Sequence, residues 1–264
     1  MLEKLFSILF GFFLTLGSWT SQGLLKIPQT PTSSPIPSFK QEVQFPGISI
    51  NIPYDTHTFT AWIWEVPKSK TVTLLPNFSQ KEDGEALAKA NSCEASINGG
   101  FYLEEEKPLG LFMTGGKTYS PEIQSNLATG FFWQEKSGKR YIEYQKPQSF
   151  ENLDFILQTG PLFPIGKKRL QLVDDEYARR SVIAQTDDGK FFLISITEKD
   201  NILSGPFLSD LPVILSSKEV KNHVVFEKGI NLDGGSASFF YLKQDLNPFV
   251  FPELKSVGSV LCIH

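Results

Sequence analysis

Cysteine, histidine and methionine are scarce in this chain: among 264 residues there are two Cys, three His and two Met. The histidines, His57, His223 and His264, are scattered, which argues against a His-rich zinc site. Cys93 and Cys262 form no C-x-x-C and no metal-ligand spacing, so zinc ribbons and dithiol redox motifs are excluded. Two buried thiols is the plain reading of that pair, with one disulfide as the alternative. Positive charge is not in excess either. Lys and Arg number 25 against 29 Asp and Glu, a net charge of -4, which leaves no basic field for nucleic acid. Catalytic signatures are also missing. No G-x-S-x-G elbow marks a hydrolase serine, and no G-x-G-x-x-G follows a strand. "GLFMTGGKT" imitates a phosphate-binding P-loop but has five residues between Gly110 and Gly116 where that loop needs four, and Pro121 stands where its helix should run. A hairpin turn explains those glycines. Nothing in the sequence requires a metal or a cofactor.

What is abundant is Phe (23), Gly (20) and Pro (17), in a chain that is 41% hydrophobic. That mixture predicts a sheet-rich domain with many turns. The first 25 residues carry no charge after Lys4, and Leu5 to Leu16 form an apolar run. This pattern suits a signal peptide or an N-terminal membrane anchor. Residues 26–44 are rich in Pro, Ser and Thr, a composition that cannot bury enough surface to offset chain entropy, and read as a linker. The folded domain is expected over 45–264. The chain is therefore expected to be exported, either secreted or tethered to a membrane.

Within the domain, "TFTAWIWEV" and "KTVTLL" predict a strand pair turned by "PKSK". "SQKEDGEALAKANS" predicts a helix capped by Ser79 with Glu82 completing a capping box. "SDLPVILSSKEVKN" predicts a second helix capped by Ser209. Hairpins are expected at Gly115-Gly116, at "EKSG" and at "DDGK", and a strand broken at Gly160-Pro161. The expected class is α+β: a mixed, largely antiparallel sheet core with a few flanking helices.

A pattern occurs twice: a helix, a short strand, then a polar residue before Gly-Gly, as "SINGGFY" and "INLDGGSASFFY". It predicts that Asn98 and Asp233 end neighbouring strands. With "LQTGPLF" and "RRSVIAQTDDGKFFLIS", these motifs in this order resemble the phosphodiester glycosidase family, from about Ser79 to Tyr241. The family's Asn-Gly-Gly-Phe corresponds to Asn98, Gly99, Gly100 and Phe101. Its Gln-x-Gly-Pro corresponds to Gln158, Gly160 and Pro161, its arginine before a strand to Arg180, and its Leu-Asp-Gly-Gly to Leu232, Asp233, Gly234 and Gly235. Where many members have a third glycine, this chain has Ser236.

The resemblance implies a sugar linked through its anomeric carbon to a phosphodiester, as in N-acetylglucosamine-1-phosphodiesters. Glycine-rich turns can present backbone N–H groups to phosphate, and an arginine can hold it through a planar fork. Arg180 is the expected anion ligand, since Arg179 beside it on a strand faces the other way. A phosphate monoester leaves with little acid assistance, so one carboxylate, Asp233, can suffice as nucleophile or base where ordinary glycosidases use two. The expected catalytic set is Asp233, Arg180 and Asn98. Gly99, Gly100, Gln158, Gly160, Gly234, Gly235 and Ser236 form the expected binding set. Glu94, Asp187 and Asp188 are weaker acid candidates. The same motifs allow a phosphodiesterase that cuts the P–O bond, or a carbohydrate-binding module without activity.

Overall fold

The computed structural model describes residues 44–103 and 107–264; the expected signal or anchor and nearly all of the linker lie outside those residues. Three sheets dominate. The first has six strands in the order Ile48–Tyr54, His57–Val66, Phe191–Glu198, Arg180–Gln185, Lys228–Asn231 and Leu162–Pro164. A second runs Arg140–Glu143, Gly130–Glu135, Leu153–Thr159, Phe112–Thr114 and Lys117–Ser120. The third runs Phe249–Phe251, Phe240–Leu242, Ala95–Asn98, Ser259–Ile263 and Val72–Pro76. Every strand pairing among the described residues is antiparallel.

One apolar core joins all three sheets. Ile183, Leu193 and Ile230 of the first meet Phe132 and Phe155 of the second and Ile97, Phe240 and Leu261 of the third. Alternation along the strands sends the other side chains outward, where each sheet gains its own cover. Val182, Ala184 and Ile194 pack under Leu211, Ile214 and Val220. Tyr241, Val260 and Cys262 pack under Leu87 and Ala88. A fully buried Phe contributes about 1.5–3 kcal/mol, so this shared core is the main reason the three sheets hold together.

The class is mainly β, and the α+β expectation is corrected. Among the described residues α-helix is confined to three short segments, Gly84–Ala90, Leu211–Leu215 and Lys218–Lys221. The first starts later than its sequence suggests, and its cap is Asp83, which accepts from Glu85 N (3.0 Å) and Ala86 N (3.1 Å). Ser79 and Glu82 do not form the cap. The Asn77 side chain instead ties both backbone groups of Glu82, and Lys81 has φ of 52°, outside any right-handed helix. In the second region the helical run breaks at Ser216-Ser217, where Ser217 caps a new turn by accepting from Val220 N. Ser209 caps nothing there.

The three expected hairpins are present at Gly115-Gly116, at "EKSG" and at "DDGK". The expected pairing across "PKSK" is absent. His57–Val66 pairs with Ile48–Tyr54 and Phe191–Glu198, whereas Val72–Pro76 pairs with Ser259–Ile263. That turn carries the chain from one sheet to another, and local sequence does not distinguish the two uses. Cys93 and Cys262 are disulfide-bonded with Cα atoms 5.3 Å apart, so the alternative reading of the pair holds in place of two buried thiols.

Candidate active site

The chain crosses from the first sheet to the third between Leu232 and Phe239. Leu232 is still tied to the first sheet, donating to Ser181 O at 2.8 Å. Asp233 N–H then donates to Gly99 O at 3.0 Å, at the end of a third-sheet strand. Asn98 completes the seam. Its Nδ2 donates to Asp233 O (2.7 Å) and Gly99 O (3.1 Å), and its Oδ1 accepts from Phe239 N (3.1 Å). Asn98 and Asp233 do lie side by side, although their strands belong to different sheets.

A cavity of about 490 Å³ opens beside this crossing. Asp233, Gly234, Gly235, Ser236 and Asn231 form one side. Arg180, Ala178 and the acidic run Asp174, Asp175 and Glu176 form another, with Phe101, Leu127 and Leu208 completing it. The Asp233 carboxyl accepts from Gly234 N at 2.9 Å. Burial pushes its pKa from the ordinary 3.8 to about 7, and the Gly234 N–H offsets only part of that rise. The side chain keeps some contact with the cavity, yet the protein behind it displaces most of its hydration. The Tyr102 phenol is also pushed up, first by burial and then by the nearby Asp233 charge.

Arg180 and Arg179 diverge. Arg179 turns inward and donates through Nη2 to Ser238 O and Pro252 O, each at 2.8 Å. Arg180 reaches the cavity at 7% exposure. Its Nε donates to Pro206 O (2.9 Å), while its Nη2 meets Asp175 Oδ1 (3.3 Å) and Glu176 O. Among the described residues only Nη1 has no partner, so Arg180 offers the cavity one nitrogen of its fork. Asp175 also accepts from Leu208 N and Ser209 N, each at 2.8 Å. Burial raises the Asp175 pKa, but these hydrogen bonds and the Arg180 charge outweigh it and hold the group below the usual carboxylate range.

Of the two glycines after Asp233, the first serves close packing and the second a left-handed backbone angle. A Cβ on Gly234 would lie 3.2 Å from Arg179 O and 3.5 Å from Arg180 Nη1, and Gly235 has φ of 60°. Their N–H groups are already engaged, with the Asp233 carboxylate and with Arg179 O. Among the described residues neither the N–H nor the hydroxyl of Ser236, at the cavity wall, has a hydrogen-bond partner.

The family model for phosphodiester glycosidases matches residues 91–264. The chain belongs to the phosphodiester glycosidase family. No curated protein matches the sequence. Among solved structures it is similar to the auto-inhibited catalytic domain of zebrafish N-acetylglucosamine-1-phosphodiester alpha-N-acetylglucosaminidase. That likeness has 18% identity and a TM-score of 0.58 over 82% of this chain and 81% of that one, and it supports the fold. A Burkholderia pseudomallei protein gives 11% identity and a TM-score of 0.44 over 79% of this chain and 74% of that one.

Several phosphodiester glycosidase motif residues turn out to lie behind the cavity rather than in its wall. Gln158 is 3% exposed and fully bonded: Oε1 accepts from Leu111 N and Ile123 N, and Nε2 donates to Ile123 O and Ala128 O. Gly160 has φ of 151°, and a Cβ there would lie 2.6 Å from Leu127 O, so the glycine lets the cavity residue Leu127 sit where it does. Gly99 is pressed against Ser259, and Gly100 against Leu157 and Thr159. Asn98, as described, stitches backbone. The weaker acids lie elsewhere. Glu94 pairs with Lys70 at 2.5 Å, and Asp187 and Asp188 occupy an exposed hairpin turn. Asp174, Asp175, Glu176 and Asn231 went unremarked in the sequence. The only signals available were an acidic run shortly before Arg180 and a polar residue two positions before Asp233. Among the described residues no cluster of three or more His, Cys, Asp or Glu could hold a metal ion.

Proposed function

We propose that this protein is an exported hydrolase that cleaves the glycosidic bond of sugar-1-phosphodiesters, releasing a sugar and a phosphomonoester. Asp233 is its base. The observation that carries the reading is a buried carboxyl, Asp233, pushed by burial to about 7, at the wall of the cavity that Arg180 also lines. Asp233 takes a proton from water as the water oxygen bonds to the anomeric carbon. The bond from that carbon to the phosphate oxygen breaks, and the phosphate leaves with the electron pair. A phosphodiester becomes a phosphomonoester that needs little acid help to depart. Arg180 Nη1 and the Ser236 N–H and hydroxyl hold the phosphate oxygens and stabilise the charge that grows on them. Asp175 fixes the Arg180 side chain and tempers its charge, so the anion meets one oriented donor nitrogen.

Membership of the family and the name of the zebrafish relative support N-acetylglucosamine-1-phosphodiesters as the first substrates to test. Export is supported by the apolar N-terminal run and by a disulfide, which persists in oxidising compartments. The N-terminal segment is either removed or kept as a membrane tether.

The test is incubation of the purified protein with UDP-N-acetylglucosamine in heavy-oxygen water. Label in the free sugar supports the glycosidase. Label in phosphate shows P–O cleavage and overturns it. Binding without turnover marks a carbohydrate-binding module.

A further inference from the structure

Asn231 ends the strand Lys228–Asn231, two positions before Asp233. It is 1% exposed, yet it forms part of the cavity wall. All but one of its polar atoms are engaged. The backbone N–H donates to Pro161 O (3.1 Å), and the carbonyl accepts from Thr159 Oγ1 (3.0 Å). Nδ2 donates to Gly160 O (3.0 Å) and Leu232 O (2.6 Å). Oδ1 has no partner. The orientation of the amide is settled by its neighbours, because turning it over would set an oxygen against two carbonyl oxygens. A buried acceptor without a donor is destabilising, and at a cavity wall a ligand can supply the missing donor.

The cavity offers both donors and acceptors. Arg180 Nη1 and the Ser236 N–H and hydroxyl can donate. Asp233, Asn231 Oδ1 and the acidic side chains of Asp174 and Glu176 can accept. A phosphodiester carries no proton at neutral pH, so it has nothing to give Asn231 and is drawn to the donors. A sugar has hydroxyls, and an N-acetyl sugar has an amide N–H as well. We propose that Asn231 Oδ1 recognises the glycosyl group by accepting a hydrogen bond from one of its hydroxyl or amide donors. This makes Asn231 a specificity determinant beside the reacting carbon, and it rests on the glycosidase reading above.

The test compares Asn231→Leu with the unchanged residue, both in an Asp233→Asn background that suppresses turnover. Calorimetry measures binding of UDP-N-acetylglucosamine and of UDP. Asn231→Leu should weaken the sugar nucleotide about tenfold and leave UDP unchanged. Because the substitution also removes the two Nδ2 bonds, the ligand is varied as well, using UDP-hexoses in which one hydroxyl at a time is replaced by fluorine, which cannot donate. One analogue should bind less tightly to the unsubstituted protein and lose nothing further in Asn231→Leu. Equal weakening of UDP and the sugar nucleotide would reduce Asn231 to scaffold. Unchanged sugar affinity, with slower turnover when Asp233 is restored, would assign Oδ1 to the attacking water and overturn the proposal. If the unsubstituted protein binds UDP-N-acetylglucosamine no better than UDP, the glycosidase reading itself fails for this sugar, and the assignment falls with it.

Discussion

The Asn98 side chain donates to the backbone carbonyl of Asp233 at 2.7 Å, across 135 residues of sequence. The bond fixes the peptide of Asp233 without engaging its carboxylate. Asn98 also bonds Gly99 O and Phe239 N, so one amide closes the seam between two sheets. Asn98→Ala should therefore lower stability by roughly 2–4 kcal/mol, because several buried backbone groups lose their partner at once. Denaturant unfolding checks this; a stability within about 0.5 kcal/mol of the parent would show that the seam is held by other contacts.

Asp233→Asn should fold, since the amide can still accept from Gly234 N. Turnover should drop by roughly 10²–10⁴-fold, while affinity for an uncleavable phosphonate analogue survives. The variant should also melt higher than the parent at pH 7 and above, because an ionised carboxylate no longer has to be held in a poorly hydrated place. Wild-type turnover in a folded Asp233→Asn protein would remove Asp233 from the mechanism.

The raised Asp233 pKa has a defined sign in both stability and rate. The fold favours the protonated acid, so its contribution is complete below the ordinary value of 3.8 and is lost as pH rises towards about 7. The stability difference between the parent and Asp233→Asn should drift in that window and level off beyond it. The base form does the chemistry, so kcat/KM should climb with pH and level off above about 7. A bound phosphodiester adds a negative charge nearby, which should move the corresponding limb of kcat to higher pH. A flat profile from pH 5 to 8 would contradict the assignment of Asp233 as base.

The two arginines should separate by the kind of damage they cause. Arg180→Lys keeps the charge but cannot reach Pro206 O, Glu176 O and Asp175 while still offering a donor to the cavity. Ligand affinity should fall by an amount on the order of 1.5–3 kcal/mol. Arg179→Lys should lower the melting temperature and leave affinity nearly unchanged, since Arg179 is 1% exposed and bonds only backbone carbonyls. Calorimetry and thermal melts on the pair decide the matter; equal affinity losses would mean that Arg180 has no special place.

Cys93–Cys262 closes a loop of 169 residues. In the chain-entropy account a loop of that size stabilises the fold by up to about 5 kcal/mol. Replacing both cysteines by Ala should cost about 2–5 kcal/mol, read by denaturant unfolding without reductant. Ligand affinity should persist wherever the variant stays folded, because neither cysteine lines the cavity.

Local chemistry made parts of this molecule legible. The Gly115-Gly116, "EKSG" and "DDGK" turns need glycine at particular backbone angles, and each appears as a hairpin. Asp233 and Arg180 stood out through the family motifs; the alternation that separates Arg180 from Arg179 is a local signal that agrees with the place of Arg180 at the cavity wall. The pairing of Val72–Pro76 with the C-terminal strand was not legible, since partner choice is made by the shared core and not by the turn at Lys68. The helix start at Asp83 depended on Asn77, whose tie to Glu82 leaves no trace in a capping pattern. Gln158 read as a binding residue and Asn98 as a catalytic one because they sit inside family motifs. Their hydrogen bonds show them holding the frame, and a motif alone does not separate those roles.

The cavity is built from parts of unequal tolerance. Asp233 and Asn231 hang on the junction where two sheets exchange the chain, so any shift there must be absorbed by the whole core. Asp174 to Ala178 precede a strand and have no regular structure of their own, attached through Asp175, Tyr177 and a few backbone bonds. Changes of substrate among homologous chains should therefore accumulate in that segment, while the junction is inherited unchanged: one side is free to drift, and the other can change only if the fold does.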